Sequence, residues 1–150
     1  MKIKIKKLKP NAVLPKKGTD GAAAYDIYLP ENMQVKIGRN KLDLGFSMEI
    51  PYGYEAKIEP RSGNSLKGIT DSYGLRRDAD VMVGKIDSDY RGPVSVIVKN
   101  WELSFVADKR VAIAQMTIYK VEDAEMEESD LLSETERGSG GFGHTDEKLN

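Results

Sequence analysis

The stretch LDLGFSMEI (residues 42–50) puts Leu42, Leu44, Phe46, Met48 and Ile50 at every second position. Side chains alternate between faces along a β-strand, so this spacing loads one face with apolar groups. Asp43, Ser47 and Glu49 fall on the other face. The same period recurs on both sides of it. KIKIKKL (2–8), YDIYL (25–29), MQVKI (33–37), YEAKIEP (54–60), PVSVIVKN (93–100) and RVAIAQMTIYKV (110–121) each read as a strand with one apolar face. Between them lie LPKKGTDG, LPENM, IPYGY, PRSGNSLKG and DSDYRG, rich in residues that favour turns. Many short strands separated by such breakers predict an all-β fold: a sandwich, a barrel or a jelly roll. No long amphipathic helix is visible, and SGNSLKG has room for one helical turn.

Composition narrows the class. A chain of 150 residues is expected to form one domain, and a domain of that size buries ~70% of its unfolded surface. Lys plus Arg (23) nearly balances Asp plus Glu (24), giving a net charge of −1. That balance argues against nucleic acid or a membrane as a partner. There is no cysteine, which excludes disulfides and thiolate metal sites and fits a reducing compartment. The one histidine, His144, cannot build a multi-histidine zinc site. The N-terminal MKIKIKKLKP alternates lysine with isoleucine and lacks a continuous apolar run, so it predicts a strand and not a signal peptide. Its solvated lysines discourage edge pairing. No segment is long enough to span a bilayer, and a cytoplasmic location is expected.

The pattern changes after Val121. Eight acids occur between Glu122 and Glu136, interrupted by Leu131 and Leu132, which are expected to dock on a neighbouring surface. The expected organisation is a β domain over 1–121, an acidic connector over 122–136 and a flexible glycine-rich tail over 137–150. The tail, RGSGGFGHTD (137–146), carries G-x-G-x-x-G at Gly138, Gly140 and Gly143. A dinucleotide-binding fold needs a strand before that pattern and a helix-containing crossover after it, neither of which is expected here. A P-loop would need Gly-Lys-Ser/Thr. Two readings remain open on the residues alone. The tail is a loose linker end, or its backbone amides, Arg137 and Phe142 wrap and stack on a phosphate-bearing ligand.

Two further stretches can carry chemistry. GKIDSDYRG (84–92) reads as a hairpin tip with two carboxylates, Tyr90 and Arg91. Turn propensity explains its Asp, Ser and Gly, but not Tyr90 and Arg91 together. EPRSGNSLKGI (59–69) offers Arg61, Ser62 and Gly63 as a cation, a hydroxyl and an open amide suited to phosphate.

With AAAYDIY (22–28) and AIAQM (112–116), these stretches make five short motifs in a fixed order. In order and spacing the chain resembles the trimeric deoxyuridine triphosphatases (dUTPases), from residue 22 to residue 146. Their motifs run approximately A-G-Y-D-L, P-R-S-G, G-x-I-D-x-D-Y-R-G, R-I-A-Q and R-G-x-G-G-F-G-S-T-G. The resemblance implies a single-domain jelly roll (the dUTPase-like β-clip) assembled as a homotrimer with active sites shared among subunits. It also implies hydrolysis of dUTP to dUMP and pyrophosphate with Mg²⁺. By motif match, Asp87 would hold the water that attacks the α-phosphorus, and Tyr90 would lie against the deoxyribose. Arg61, Ser62, Gly63 and Gln115 would contact phosphates, and Asp26 would meet the metal through water. Arg137, Phe142, Gly143 and Thr145 would form a lid over the nucleotide.

This sequence departs from the family pattern at several places. Ala24 replaces a glycine, and Ala112 replaces the arginine before Ile-Ala-Gln, with Arg110 as a candidate substitute. Val81 stands where some relatives carry an asparagine near the base, and segment 70–80 is longer than usual. In the tail, His144 replaces serine, and Asp146 replaces glycine, adding a negative charge where the γ-phosphate is expected. A dCTP deaminase or bifunctional relative shares the implied fold, but the Asp-Ser-Asp-Tyr-Arg run of residues 87–91 argues against it. A weakly catalytic nucleotide-binding regulator would account for the departures. A purely structural β-sandwich leaves Tyr90, Arg137 and Phe142 unexplained.

Overall fold

The computed structural model describes residues 1–141. The strands are β1 (Lys4–Lys7), β2 (Tyr25–Ile27), β3 (Met33–Val35), β4 (Gly38–Asp43), β5 (Phe46–Glu49) and β6 (Tyr54–Glu59). A short helix α1 (Ser62–Lys67) follows, then β7 (Ile69–Thr70), β8 (Arg76–Arg77), β9 (Ala79–Met82) and β10 (Gly84–Ile86). The last three are β11 (Ser95–Asn100), β12 (Phe105–Ala107) and β13 (Ala114–Lys120). They build an antiparallel jelly roll. One sheet has the order β10-β6-β13-β2 and another β4-β11-β9, with the pairs β1-β5, β12-β3 and β7-β8 around them.

LDLGFSMEI explains how the sheets join. Its five alternating apolar residues are all buried, Leu44 and Phe46 at 0% exposure. Yet the stretch forms two strands, because β4 pairs with β11 while β5 pairs with β1. The change of partner occurs at Gly45, whose φ of 75° is one that side chains disfavour. Asp43 Oδ1 accepts the Gly45 N–H at 2.7 Å and holds the kink. Val94 spans it, accepting from Leu44 N at 3.0 Å and donating to Phe46 O at 2.9 Å. The apolar alternation therefore continues unbroken through a change of sheet.

The structure corrects the sequence reading elsewhere too: Leu131 and Leu132, expected to dock on a neighbouring surface, are exposed in this chain. Residues 84–92 are not a hairpin tip. β10 pairs with β6, and β11 pairs with β4 and β9, so the segment after Ile86 crosses from one sheet to the other. The 110–121 stretch becomes a strand only at Ala114. Before it, the buried Asp108 carboxylate accepts from the Arg110 backbone N–H at 2.9 Å and from its guanidinium at 2.7 Å, which closes a turn. Segment 70–80 contains the end of β7, all of β8 and the start of β9 and is organised by Asp71, only 1% exposed. Asp71 accepts from the N–H groups of Tyr73 and Leu75, each at 2.9 Å, and from Arg77 Nε at 2.7 Å. Burial pushes the Asp71 carboxyl up, but these hydrogen bonds and the Arg77 charge outweigh it and hold the group below the usual carboxylate range.

Among the described residues, no helix is long and apolar enough to cross a membrane. Phe46, fully buried where the sheets meet, should be the costliest single truncation. Phe46→Ala is expected to lower the unfolding free energy by about 3–5 kcal/mol in urea titration.

Candidate active site

Strand β13 places the first group of polar residues. Gln115 is paired with Glu59 on β6 and with Asp26 on β2, so three polar side chains form a row across the sheet. Neighbours in that row stand about 4.8 Å apart. The alternate residues, Ala114, Met116, Ile27 and Ile58, are buried in the core and force this row outward.

Pro60 follows β6, and Arg61 keeps an extended backbone (φ −80°, ψ 145°) as it enters α1. Its guanidinium meets Asp26, Nε to Oδ1 at 2.9 Å. The helix is tied down by buried Asn64, whose Nδ2 donates to the carbonyls of Ala112 at 3.3 Å and Ile113 at 2.8 Å. One side chain thus fixes the turn bearing Ser62 and Gly63 against the strand bearing Gln115. Asp26, Glu59, Arg61, Ser62, Gly63 and Gln115 line a common cleft of about 650 Å³. Glu59 gave no signal in the sequence. Only the β6–β13 register puts it beside Gln115, where it pairs with Lys57 at 3.2 Å.

Asp87 and Tyr90 lie elsewhere. Ile86 is paired with Ala56, so Asp87 continues alongside Glu55. Glu55 and Glu59 are four residues apart on β6, about 13 Å at strand rise. Asp87 accordingly lines a separate recess of about 290 Å³ with Tyr52, Tyr54 and Glu55. Both groups occupy the outward face of one sheet, but at opposite ends of β6.

The loop after Asp87 closes on itself. The Tyr90 N–H donates to Asp87 O at 3.2 Å. Arg91 Nη1 donates to Ser88 O at 2.6 Å and Tyr90 O at 3.0 Å, and the Tyr90 hydroxyl donates to Pro93 O at 3.1 Å. Arg91 is therefore a staple for the loop that carries Asp87 and Tyr90.

Other candidates are distributed as follows. Arg110 is committed to Asp108, whose carboxyl it holds below the usual range, and Ala112 is buried. Val81 is also buried and cannot read a base from the surface. Arg137 Nε donates to Gly140 O at 2.9 Å and joins neither cleft. Phe142, Gly143 and Thr145, with His144 and Asp146, lie outside the described residues.

An antiparallel jelly roll whose cleft gathers a guanidinium, a hydroxyl, an amide and carboxylates defines a β-fold protein suited to a phosphate-bearing ligand. A dUTPase family model matches residues 10–146. The chain is 43% identical to the deoxyuridine 5'-triphosphate nucleotidohydrolase of Nautilia profundicola over 148 residues, covering 97% of this chain and 99% of the relative. It is 39% identical to the Helicobacter pylori enzyme of the same name, covering 97% of each. Its fold is similar to that of a mutant Staphylococcus bacteriophage 80alpha dUTPase solved with dUpNHpp. That similarity has a TM-score of 0.83 at 24% identity and covers 96% of this chain and 98% of the other. The chain belongs to the dUTPase family.

The Asn64 tie predicts a measurable cost. Asn64→Ala leaves two buried carbonyls without their donor and should lower stability by about 1–3 kcal/mol in chemical denaturation.

Proposed function

We propose that this chain, as a dUTPase, hydrolyses dUTP to dUMP and pyrophosphate in a site completed by more than one copy of the chain, in a homotrimer. One observation carries the shared site. Asp87 stands about 13 Å along β6 from the cleft of Arg61 and Gln115, too far for one copy to act on a single phosphorus from both. A second copy, with its outward sheet face against this cleft, brings an Asp87 within reach.

The cleft residues bind and orient the substrate. Arg61 supplies charge and paired donors to phosphate oxygens, Ser62 and Gly63 supply a hydroxyl and an amide, and Gln115 an amide side chain. Asp87 accepts from the attacking water and aims it at the α-phosphorus. Phosphoryl chemistry needs mainly such positioning and charge neutralisation.

A divalent metal fits this donor set in one way. Among the described residues, no three His, Cys, Asp or Glu groups converge as a cage. Asp26, in the cleft beside Arg61, would hold a hydrated Mg²⁺ through water. When bound, Mg²⁺ would supply charge neutralisation for the phosphates. Tyr90 lies against the deoxyribose and excludes a 2′-hydroxyl. The tail closes as a lid, with Phe142 stacked on uracil and Arg137, Gly143 and Thr145 at the phosphates. Contacts of Phe142 and Arg137 with the nucleotide would offset the conformational cost of ordering a glycine-rich sequence.

Two measurements test this reading. Asp87→Asn should reduce kcat by ~10²–10⁴ while dUTP still binds in calorimetry. Unchanged kcat removes Asp87 from the mechanism. For the shared site, Asp87→Asn and Arg61→Ala chains are assayed separately and after refolding together. Each alone should be nearly inactive, and the mixture should recover activity because some sites draw both intact residues from different copies. A mixture no more active than its parts would refute sharing.

A further inference from the structure

Gly92 has no backbone reason to be glycine. Gly38, Gly45, Gly53, Gly68, Gly74 and Gly138 all have positive φ, the region that favours glycine. Gly92 does not, so its backbone could accommodate alanine. Gly18, Gly21, Gly63, Gly84 and Gly141 share that ordinary backbone, and a Cβ on any of them meets ordinary contact or open space. At Gly92 a Cβ would overlap the hydroxyl oxygen, Cζ and Cε2 of Tyr90. The ring sits directly over the bare Cα.

The surrounding loop leaves the ring as the part that must yield. Arg91 ties the carbonyls of Ser88 and Tyr90, and the Tyr90 N–H is held by Asp87 O, so the backbone is stapled. The Tyr90 hydroxyl, the atom nearest that added Cβ, donates to Pro93 O at 3.1 Å, and Tyr90 is 43% exposed. A methyl group at position 92 would displace the ring and disturb that bond.

We infer that Gly92 is a specificity-determining position, whose missing side chain seats Tyr90 where its ring excludes a ribose 2′-hydroxyl. The inference rests on the reading of Tyr90 as the sugar gate and adds what sets the gate's position. Gly92 itself does not touch substrate. It acts through the ring, together with the Pro93 carbonyl.

The test compares kcat/KM for UTP and dUTP in the wild type, Gly92→Ala, Tyr90→Ala, Tyr90→Phe and the Gly92→Ala/Tyr90→Ala double variant. Thermal melting checks the fold of each. Gly92→Ala should raise the UTP-to-dUTP ratio about tenfold or more, the scale on which pocket shape sorts an added hydroxyl. The double variant should match Tyr90→Ala alone, because both changes remove one gate. Tyr90→Phe, which loses only the Pro93 bond, should raise the ratio by less and keeps the test open if Gly92→Ala does not fold. The Tyr90 ring resonances, assigned in ¹³C-tyrosine spectra by their loss in Tyr90→Phe, should shift in Gly92→Ala without nucleotide. If Tyr90→Ala alters the ratio and Gly92→Ala leaves it unchanged, the inference is wrong and the gate survives, whether or not the resonances shift. If Tyr90→Ala itself leaves the ratio unchanged, the gate reading falls and takes the inference with it.

Discussion

The site depends on one strand paired on both edges. β6 lies between β10 and β13, and its ladder hydrogen bonds leave no freedom to slide against either. A slip of one residue would turn Ala56 and Ile58 outward and bury Lys57 and Glu59, so the core enforces the register. That register puts Asp87 at one end of β6 and the cleft of Gln115, Asp26 and Arg61 at the other. The separation of the two groups is thus a property of backbone geometry.

Polar side chains, most of them buried, do the second task, which is to shape the loops. Asp43 holds Gly45, Asp71 organises the hairpin before β9, Asp108 closes the turn before β13, and Asn64 ties α1 to the approach of that strand. Each satisfies backbone groups that the short strands leave unpaired, and a buried carboxylate with several donors is favourable where an unpartnered one is not. The loop from Asp87 to Pro93 follows the same logic with a cation. Arg91 takes two carbonyls of its own loop, which explains why an arginine stands beside Tyr90 without calling on it for phosphate.

Much of the fold was legible because alternation is a local signal. Leu42 through Ile50 declared an apolar face that the structure buries in full. The short strands β7 to β10 and β12 went unread, since two to four residues without a longer alternating run around them barely display a period. Partner choice was also hidden. Residues 84–100 look like a hairpin because two strands flank a turn, but pairing depends on which edges are free, and the edge beside β10 belongs to β6. The cleft was legible residue by residue through the family's motifs, and Glu59 was not, because nothing near it in the chain marks it.

The division between the two levels has a physical cause. The longer strands, the turn-rich breaks between them and the chemical types of the site residues follow from side-chain size, polarity and spacing, all of which a linear chain carries. Those the sequence determined by itself. Register, sheet membership and distance arise from hydrogen bonds between residues far apart in the chain. Only the tertiary structure decided that Gln115 stands between two carboxylates, that Asp87 is held apart from them, and that a glycine makes room for Tyr90.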